Sequence, residues 1–251
     1  MRRNIIIILF LILISFAANA QQQNTTIPFP KIGINIGTAS NPQDISVTLQ
    51  ILLLMTVLAL APSLLIMTTS YLRLIIAFHF LKSALGTQQM PPGQLLAGIA
   101  LFITFFIMAP TWNKVNDEAL KPLMDGKITM EQAYDKGVLP IREFMFKNVR
   151  DEDLALFIGL SKLKRPNNRE DLPTYVLVPA FALSELRAGF IIGFFLFIPF
   201  IMVDMIISSI LMSMGMMMLP PMLISLPFKI LLFILVDGWN LIVGSLVRSF
   251  A

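Results

Sequence analysis

The sequence has no cysteine, a single histidine and few charged residues, which make up only 14% of its 251 residues. Without cysteine, the chain has no disulfide, no Cys-ligated zinc site, no iron–sulfur cluster and no thiol nucleophile. Because His79 is the one histidine, neither a His-rich metal site nor a Ser-His-Asp triad is expected. A soluble domain carries about 25% charged residues, so this chain lacks the polar surface that coats a globule. An ordinary cytosolic enzyme and a disordered protein are therefore excluded.

Sequence motifs of nucleotide-binding and hydrolytic enzymes are also missing. The chain contains no P-loop, no HExxH, no GxSxG and no Gly-rich dinucleotide-binding turn. We therefore expect no catalytic site, no cofactor and no bound metal.

The charge pattern is not that of a nucleic-acid-binding protein. Acidic and basic residues balance within residues 112–178, and no basic stripe is interleaved with aromatic residues. Nucleic acid is consequently not an expected partner.

The first twenty residues are typical of a secretory signal peptide. A basic start, MRR, precedes an apolar run over residues 5–16, and the string ANA at 18–20 supplies a small-x-small cleavage pattern. The alternative is an uncleaved N-terminal anchor, but the apolar run is shorter than the ~20 residues that a transmembrane helix needs. We therefore predict a cleaved signal peptide over 1–20 and an extracytoplasmic tail over 21–44 in a bacterial envelope.

Four long apolar stretches follow, at residues 46–81, 94–111, 176–218 and 222–247. They predict an all-α integral membrane or envelope protein built from helical hairpins. The predicted parts are a first apolar helical pair over 45–111, an extracytoplasmic (periplasmic) amphipathic helical segment over 112–175, and a second apolar pair over 176–251. The first and third stretches are longer than the ~20 residues that cross a bilayer. Each is therefore predicted to be kinked, folded back or extended beyond the membrane.

Charged residues inside the apolar stretches indicate that these helices have protein neighbours. Such residues are costly in lipid and generally face a protein interior or water. They are Arg73, Glu185, Arg187, Asp204, Lys229 and Asp237. Gly189 and Gly193 are four residues apart on one predicted helix, a spacing that allows two helices to pack closely. The chain is therefore predicted to be a subunit of a larger assembly.

Methionine is concentrated in a predicted loop over residues 212–222. A glycine and two prolines flank three successive methionines, which are Met216, Met217 and Met218. Three successive residues cannot share one helix face, whereas a loop of unbranched thioethers repeated around a pore axis would make a soft apolar constriction. The alternative is flexible filling of a hydrophobic core, which we prefer for the scattered methionines.

Several unusual strings occur in an order that is typical of one protein family. They are LAPSLLIM (60–67), LKSALGTQQMPP (81–92), SELRAGF (184–190), LFIPF (196–200), LMSMGMMMLPPM (211–222), SLPFK (225–229) and VDGWNL (236–241). Together they resemble the FliP family, the export-gate subunit of the bacterial flagellar type III secretion apparatus. The resemblance covers residues 46–250 and is weaker across 112–150.

The resemblance implies a pore-forming core subunit of the flagellar export gate, which passes unfolded flagellar substrates across the cytoplasmic membrane. Several copies, about five, would assemble in a closed ring with FliQ and FliR. The assembly would lie at the basal body with much of its mass facing the periplasm. FlhB, FlhA and the assembly factor FliO are further expected partners.

Two alternatives to the flagellar gate remain. Injectisome (virulence) export-gate subunits resemble the same core but usually lack a cleavable signal peptide, so the signal peptide favours the flagellar branch. A secondary transporter or ion channel would instead use Arg73, Glu185, Asp204 and Lys229 to line a translocation path, although the two halves of the sequence show no repeat symmetry.

The resemblance also implies roles for single residues. It assigns the loop methionines 216–218 to a pore gasket, and Glu185 and Lys229 to a charged pair that links neighbouring subunits. The alternative is local pairing of each charge, for example Glu185 with Arg187, but two residues that are two apart on a helix point in different directions.

Further contacts between subunits are expected from polar and apolar residues outside that pair. Asp204 and Arg150 are candidate charged contacts, and Asp237 could join the network of Lys229. Further candidate assembly contacts are Phe144, Phe157, Gly189 and Gly193. His79 is interpreted as a polar interfacial residue rather than a proton relay.

Overall fold

The protein is described by a computed structural model, which covers residues 42–87, 90–162, 168–169, 171–216 and 218–250. The predicted signal peptide, the tail over 21–41 and Met217 lie outside the described residues. The described residues form helices and no strand, which confirms the all-α prediction. The helices are α1 (Pro42–Thr68), α2 (Tyr71–Leu85), α3 (Gly93–Val115), a π-helical turn (Asn116–Leu120), α4 (Lys121–Met124), α5 (Met130–Asn148), α6 (Asp151–Leu160), α7 (Thr174–Ser213), α8 (Pro221–Leu235) and α9 (Gly238–Arg248).

Two compact units divide the chain, at residues 1–52 and 53–251. Of the first unit, the structure describes residues 42–52, which form the beginning of α1. The second unit contains the rest of α1 and all the other described helices.

Three segments of the described helices are long and apolar enough to cross a membrane. They are Leu49–Thr68, Gly93–Met124 and Thr174–Ser213. Helices α8 and α9 would make a fourth segment if they form one broken span, and the angle between them is 63°. The protein therefore has the helices of a membrane protein, as the apolar stretches predict.

The two overlong apolar stretches differ in how they exceed a bilayer. The first one is broken between α1 and α2, where Thr68 Oγ1 and Thr69 Oγ1 donate to the carbonyls of Leu64 and Leu65 at 2.8 and 2.7 Å. As a result, the interval that was predicted as a helical pair contains three helices, α1 to α3. The second one is the continuous 40-residue helix α7. At 1.5 Å per residue α7 is ~60 Å long, about twice the ~30 Å of a hydrocarbon core.

Helix α2 packs along α7 and supplies more of the main hydrophobic core than any other helix, six of its thirteen buried residues. Its fully or almost fully buried apolar side chains are Leu74, Ala77, Phe78, Leu81, Ala84 and Leu85. Helix α3 adds Leu96 and Ala100, and the bent pair α8 and α9 adds Phe233 and Leu246. This core packs α3, α7 and the bent pair α8 and α9 against α2.

Two glycines of α7 allow α2 to approach closely. A Cβ atom at Gly193 would lie 2.5 Å from the Phe80 ring, and a Cβ atom at Gly189 would lie 3.0 Å from the Ile76 side chain. The two glycines are four residues apart, and so are the two side chains that fill the space above them. The close packing that the glycine spacing predicts therefore occurs within the chain, between α7 and α2.

A second hydrophobic cluster joins α5 and α6 to the beginning of α7. Its buried members are Met145, Leu172, Val176, Leu177 and Phe181. Helix α5 begins with a capping box, in which Thr129 Oγ1 accepts from the Gln132 backbone and the Gln132 side chain accepts from the Thr129 backbone. Helices α5 and α6 of the predicted amphipathic segment therefore pack their apolar faces on the beginning of α7.

Candidate functional site

Arg73 of α2 and Glu185 of α7 form a buried ion pair. Arg73 Nε donates to Glu185 Oε2 at 2.9 Å, and Arg73 Nη2 donates to Glu185 Oε1 at 2.5 Å. The two side chains are only 7% and 0% exposed. Paired, charge-assisted hydrogen bonds of this kind satisfy a carboxylate with defined geometry. The charge of Glu185 is thus neutralised inside the chain.

The same guanidinium also holds the C-terminal end of α9. Arg73 Nη1 donates to the backbone oxygen and to Oγ of Ser249, at 2.9 Å in both cases. The guanidinium carbon lies 3.7 Å from the centre of the Phe250 ring, within the range of a cation–π contact. Arg73 therefore joins α2, α7 and the end of α9.

A second charged cluster joins α7, α8 and the end of α2. Lys229 Nζ donates to Asp204 Oδ2 at 2.6 Å and to the Ala84 carbonyl at 3.2 Å. Ser225 Oγ donates to Asp204 Oδ1 at 2.5 Å. The Lys229 side chain is 4% exposed, whereas that of Asp204 is 30% exposed. The ammonium thus meets a carboxylate and also the negative end of α2.

These pairs change the argument for the predicted Glu185–Lys229 contact between subunits. The sequence analysis left pairing within the chain as the alternative, and in the structure each charge has a counterion on another helix of the same chain. Neither pairs with a charged neighbour on its own helix, and Arg187 is exposed. The contact between subunits stays a prediction. Because both charges are already paired within the chain, neither needs a partner on another subunit.

Arg150 lies at the start of α6, beside the residue that precedes Glu185. Its backbone N–H donates to Ser184 Oγ at 3.1 Å, and its Nη2 donates to Glu152 Oε2 at 2.8 Å. Ser184 Oγ in turn donates to the buried Asp153 Oδ2 at 2.7 Å. Arg150 Nη1 is buried and has no hydrogen-bond partner among the described residues. Arg150 therefore has one guanidinium nitrogen, Nη1, that could still donate a hydrogen bond.

The methionine loop joins α7 to α8 and begins with a tight helix end. Met216 N donates to the Leu211 carbonyl and Gly215 N to the Met212 carbonyl, both at 3.0 Å, with Gly215 at φ +75°. This is a Schellman motif, for which a residue with positive φ is needed. It ends α7 before the three successive methionines, as the flanking glycine predicts.

The described methionines of this loop do not fill a core within the chain. Met216 is 41% exposed and Met218 is 99% exposed. Met212, Met214 and Met222, which flank them, are 61%, 66% and 61% exposed. Core filling within the chain is therefore not the role of these side chains, and a row of thioethers is presented at the end of the α7–α8 hairpin.

The other candidate assembly residues pack inside the chain. Phe144 lies 5.8 Å from the ring of Phe181 and 6.1 Å from that of Phe250. Phe157 packs, partly buried, on the second hydrophobic cluster. Gly189 and Gly193 accommodate side chains of α2, as described above. Whether any of them also contacts another subunit stays a prediction.

No group of three or more histidine, cysteine, aspartate or glutamate residues could hold a metal ion within the described part of the chain.

The sequence identified Glu185, Asp204 and Lys229 as candidate contact residues but did not assign Arg73 or Ser225 as their partners. A signal for Arg73 was present, because it is the one Lys, Arg, Asp or Glu residue in the apolar stretch 46–81.

Comparison with known proteins identifies the family. The model of the FliP family matches residues 54–246. The chain is 56% identical over 217 residues to the flagellar biosynthetic protein FliP of Bacillus subtilis, covering 86% of this chain and 98% of that protein. It is 48% identical over 219 residues to the FliP of Caulobacter vibrioides, covering 87% and 82%. It is 47% identical over 234 residues to the FliP of Treponema pallidum, covering 92% and 86%. The chain therefore belongs to the FliP family of flagellar biosynthetic proteins.

Proposed function

We propose that the protein is a pore-forming core subunit of the flagellar type III export gate, which passes unfolded flagellar substrates across the cytoplasmic membrane. The observation that carries this proposal is the α7–α8 hairpin, which presents exposed methionines at its end. The ion pair between Lys229 and Asp204 holds the two helices of the hairpin together. A fixed hairpin with a soft apolar end is suited to seal a narrow opening.

The loop would act as a passive gasket. Unbranched thioether side chains adapt to irregular surfaces without directional bonds. Several copies of the loop around one axis would close on each other, and would also yield to an unfolded chain of any sequence. Met218, at 99% exposed, has the surface that such contacts need. Energy for transport would come from other components.

The exposed apolar surface of α7 supports assembly with other subunits. Its most exposed large side chains are Tyr175, Phe194, Phe195, Met205 and Met212, at 67%, 61%, 65%, 68% and 61%, and they extend over ~56 Å of the helix axis. A ~60 Å helix cannot bury all of this surface in a ~30 Å hydrocarbon core. A large apolar surface outside lipid needs a protein partner. We propose that other copies of the chain, about five in a closed ring, together with FliQ and FliR cover it.

Charge contacts between subunits are best supplied by the more accessible residues. Asp204 is 30% exposed and the Arg150 side chain is 35% exposed, whereas Glu185 is 0% exposed. We therefore propose Asp204 and Arg150 as contacts with neighbouring subunits. A Glu185–Lys229 contact would require both in-chain pairs to be exchanged during assembly.

The proposed location is the bacterial inner membrane at the flagellar basal body, with much of the mass towards the periplasm. The flagellar branch is preferred to an injectisome because the relatives named above are flagellar biosynthetic proteins. FlhB, FlhA and FliO are further proposed partners. The in-chain neutralisation of the buried charges gives no support to a transporter whose translocation path they would line.

The deciding experiment is the native mass of the detergent-extracted protein, expressed alone and with its candidate FliQ and FliR partners. A discrete ring of several copies that gains mass when the partners are present is the expected result. A stable monomer or dimer that ignores both partners would contradict the proposal. The matched control is an unrelated four-helix membrane protein co-expressed with the same partners.

A further inference from the structure

We propose that a cleft between α3 and α5 binds the phosphate headgroup of an anionic phospholipid. The cleft consists of two adjoining cavities of about 580 and 210 Å³. Both cavities are lined by Lys114 of α3 and by Pro140, Glu143 and Lys147 of α5. This inference does not depend on the export-gate function, because it rests on a different surface of the chain.

The larger cavity has an excess of positive charge. Four cations and two carboxylates line it, and they are Lys114, Arg142, Lys147, Arg169, Glu118 and Glu143. Lys114 Nζ donates to Glu143 Oε2 at 2.7 Å, so these two charges neutralise each other. Among the described residues neither Lys147 nor Arg169 forms an ion pair. The hydrogen bond from Lys147 Nζ to the Phe250 carbonyl is long, at 3.5 Å.

Two further arginine contacts are seen at the larger cavity. Arg142 donates to Thr174 Oγ1 and to the Leu172 carbonyl, both at 2.6 Å. The guanidinium of Arg169 lies 5.9 Å from the centre of the Phe146 ring, and that of Arg142 lies 5.6 Å from it. Cationic side chains bind a phosphate group through charge-assisted hydrogen bonds, and Lys147 and Arg169 both line the larger cavity.

The smaller cavity extends the cleft with an apolar surface. Apart from the shared residues, its lining consists of Ile107, Pro110, Thr111, Phe144 and Phe250. Further back along α3 are three outward-facing aromatic residues, Phe102, Phe105 and Phe106, which are 69%, 58% and 78% exposed. Lys114 comes eight residues after Phe106, which is ~12 Å along the helix axis.

These surfaces lie in the order that a phospholipid would need, with apolar surface for the acyl chains and a cationic cavity for the headgroup. Along α3 the exposed aromatic residues come first, the smaller cavity with its partly apolar lining follows, and the more strongly cationic cavity comes last, beside the candidate membrane segment Gly93–Met124. Basic pockets beside membrane helices bind the headgroups of anionic lipids. An acidic peptide would match the cations but would leave the apolar part unexplained. Continuity with the membrane-type surface therefore favours a lipid.

The test is native mass spectrometry of the delipidated full-length protein, offered phosphatidylglycerol or phosphatidylcholine with identical acyl chains. We expect the wild type to retain phosphatidylglycerol preferentially. Each cation near an anionic lipid changes the affinity about fivefold, so Lys147→Gln/Arg169→Gln should weaken phosphatidylglycerol binding by about 25-fold. The matched control is Lys127→Gln/Lys136→Gln, which removes the same charge from exposed positions that do not line the cleft.

Several outcomes would overturn the proposal. Equal retention of the two lipids by the wild type would do so without any variant, which covers the case in which a variant fails to fold. An equal loss in the control would show that net charge, rather than the cleft, attracts the lipid. Competition by inorganic phosphate as effective as that by phosphatidylglycerol would assign the cleft to a soluble anion. Tighter binding of hexaglutamate than of phosphatidylglycerol would assign it to an acidic protein.

Discussion

The Arg73 guanidinium holds the Glu185 carboxylate through two hydrogen bonds of 2.9 and 2.5 Å, in a place where both side chains are buried. The remaining Nη1 donates twice to Ser249, and the face of the guanidinium covers the Phe250 ring. One buried cation thus connects α2, α7 and the end of α9. The stability that is lost when one partner is replaced depends on whether the remaining charge stays buried without a counterion.

Replacing Arg73 by methionine is expected to lower the free energy of unfolding by about 3–5 kcal/mol, because Glu185 then stays buried without a counterion. The measurement is chemical or thermal unfolding of the detergent-solubilised protein. The double variant Arg73→Met/Glu185→Leu should recover much of this loss, since no buried charge remains.

The control for this prediction is Arg187→Met, which removes an exposed arginine from the same helix as Glu185. It is expected to change the free energy of unfolding by less than about 0.5 kcal/mol. If the single and double variants were equally unstable, the lost contacts to Ser249 and Phe250 would be the main contribution of Arg73, and the ion pair would not.

The sequence predicted that the charges of the apolar stretches face protein, but it could not predict their partners. Rules of spacing apply within one helix, whereas Arg73 and Glu185 are 112 residues apart. Their contact depends on how α2 packs against α7. The glycine spacing on α7 did predict close packing, because it is a local pattern, but it could not show that Ile76 and Phe80 fill the space.

The methionine loop shows the same limit. Gly215 and the following prolines predict the helix end, and the Schellman motif is its structural form. The exposure of Met216 and Met218 depends on the tertiary packing around them and could not be derived from composition. The length of the stretch 46–81 predicts a kink, a fold-back or an extension, but the hydrophobic pattern did not show that the break falls at Thr69, and it gave no signal for the π-helical turn at 116–120.

The Lys229–Asp204 pair predicts an asymmetry between its two partners. Asp204→Ala leaves the Lys229 ammonium, which is 4% exposed, with the Ala84 carbonyl but no carboxylate. Lys229→Met leaves Asp204, which is 30% exposed, in contact with solvent and with Ser225. We expect a loss of about 3–5 kcal/mol for Asp204→Ala and about 1–2 kcal/mol for Lys229→Met.

Unfolding of both variants in the same detergent measures this asymmetry. Asp117→Ala is the control, because it breaks an exposed pair with Lys121 and should change stability by less than about 1 kcal/mol. A larger loss for Lys229→Met than for Asp204→Ala would mean that the ammonium contributes more through packing and through the end of α2 than through its carboxylate partner.

Replacing Met216, Met217 and Met218 together by alanine should raise ion leakage through the assembled complex without preventing assembly. Three short side chains cannot fill an opening that thioethers would close. Leakage is measured as dye or ion flux from liposomes that contain the complex, and assembly as its native mass. Met130→Ala, at an exposed position at the start of α5, is the control. Unchanged sealing by an assembled triple variant would rule out the gasket.

Gly193→Ala is expected to be more damaging than Gly189→Ala. A methyl group at Gly193 would lie 2.5 Å from the Phe80 ring and 2.8 Å from its Cβ, which cannot move away without shifting α2. At Gly189 the nearest atoms of Ile76 lie at 3.0 Å, so a smaller adjustment suffices. Overpacking of this kind costs about 1–3 kcal/mol, and Gly193→Ala should lie near the upper end of that range in unfolding measurements.

A matched control and a rescue separate overpacking from the general effect of alanine in a helix. Gly98→Ala in α3 meets no atom within 4 Å, so it should be neutral or stabilise the helix by up to about 1 kcal/mol. Phe80→Ala opens the space above Gly193, so the double variant Gly193→Ala/Phe80→Ala should lose less than the sum of the two single losses. Additive losses would show that the Gly193 methyl group is accommodated elsewhere, and that the close approach of α2 and α7 does not depend on this contact.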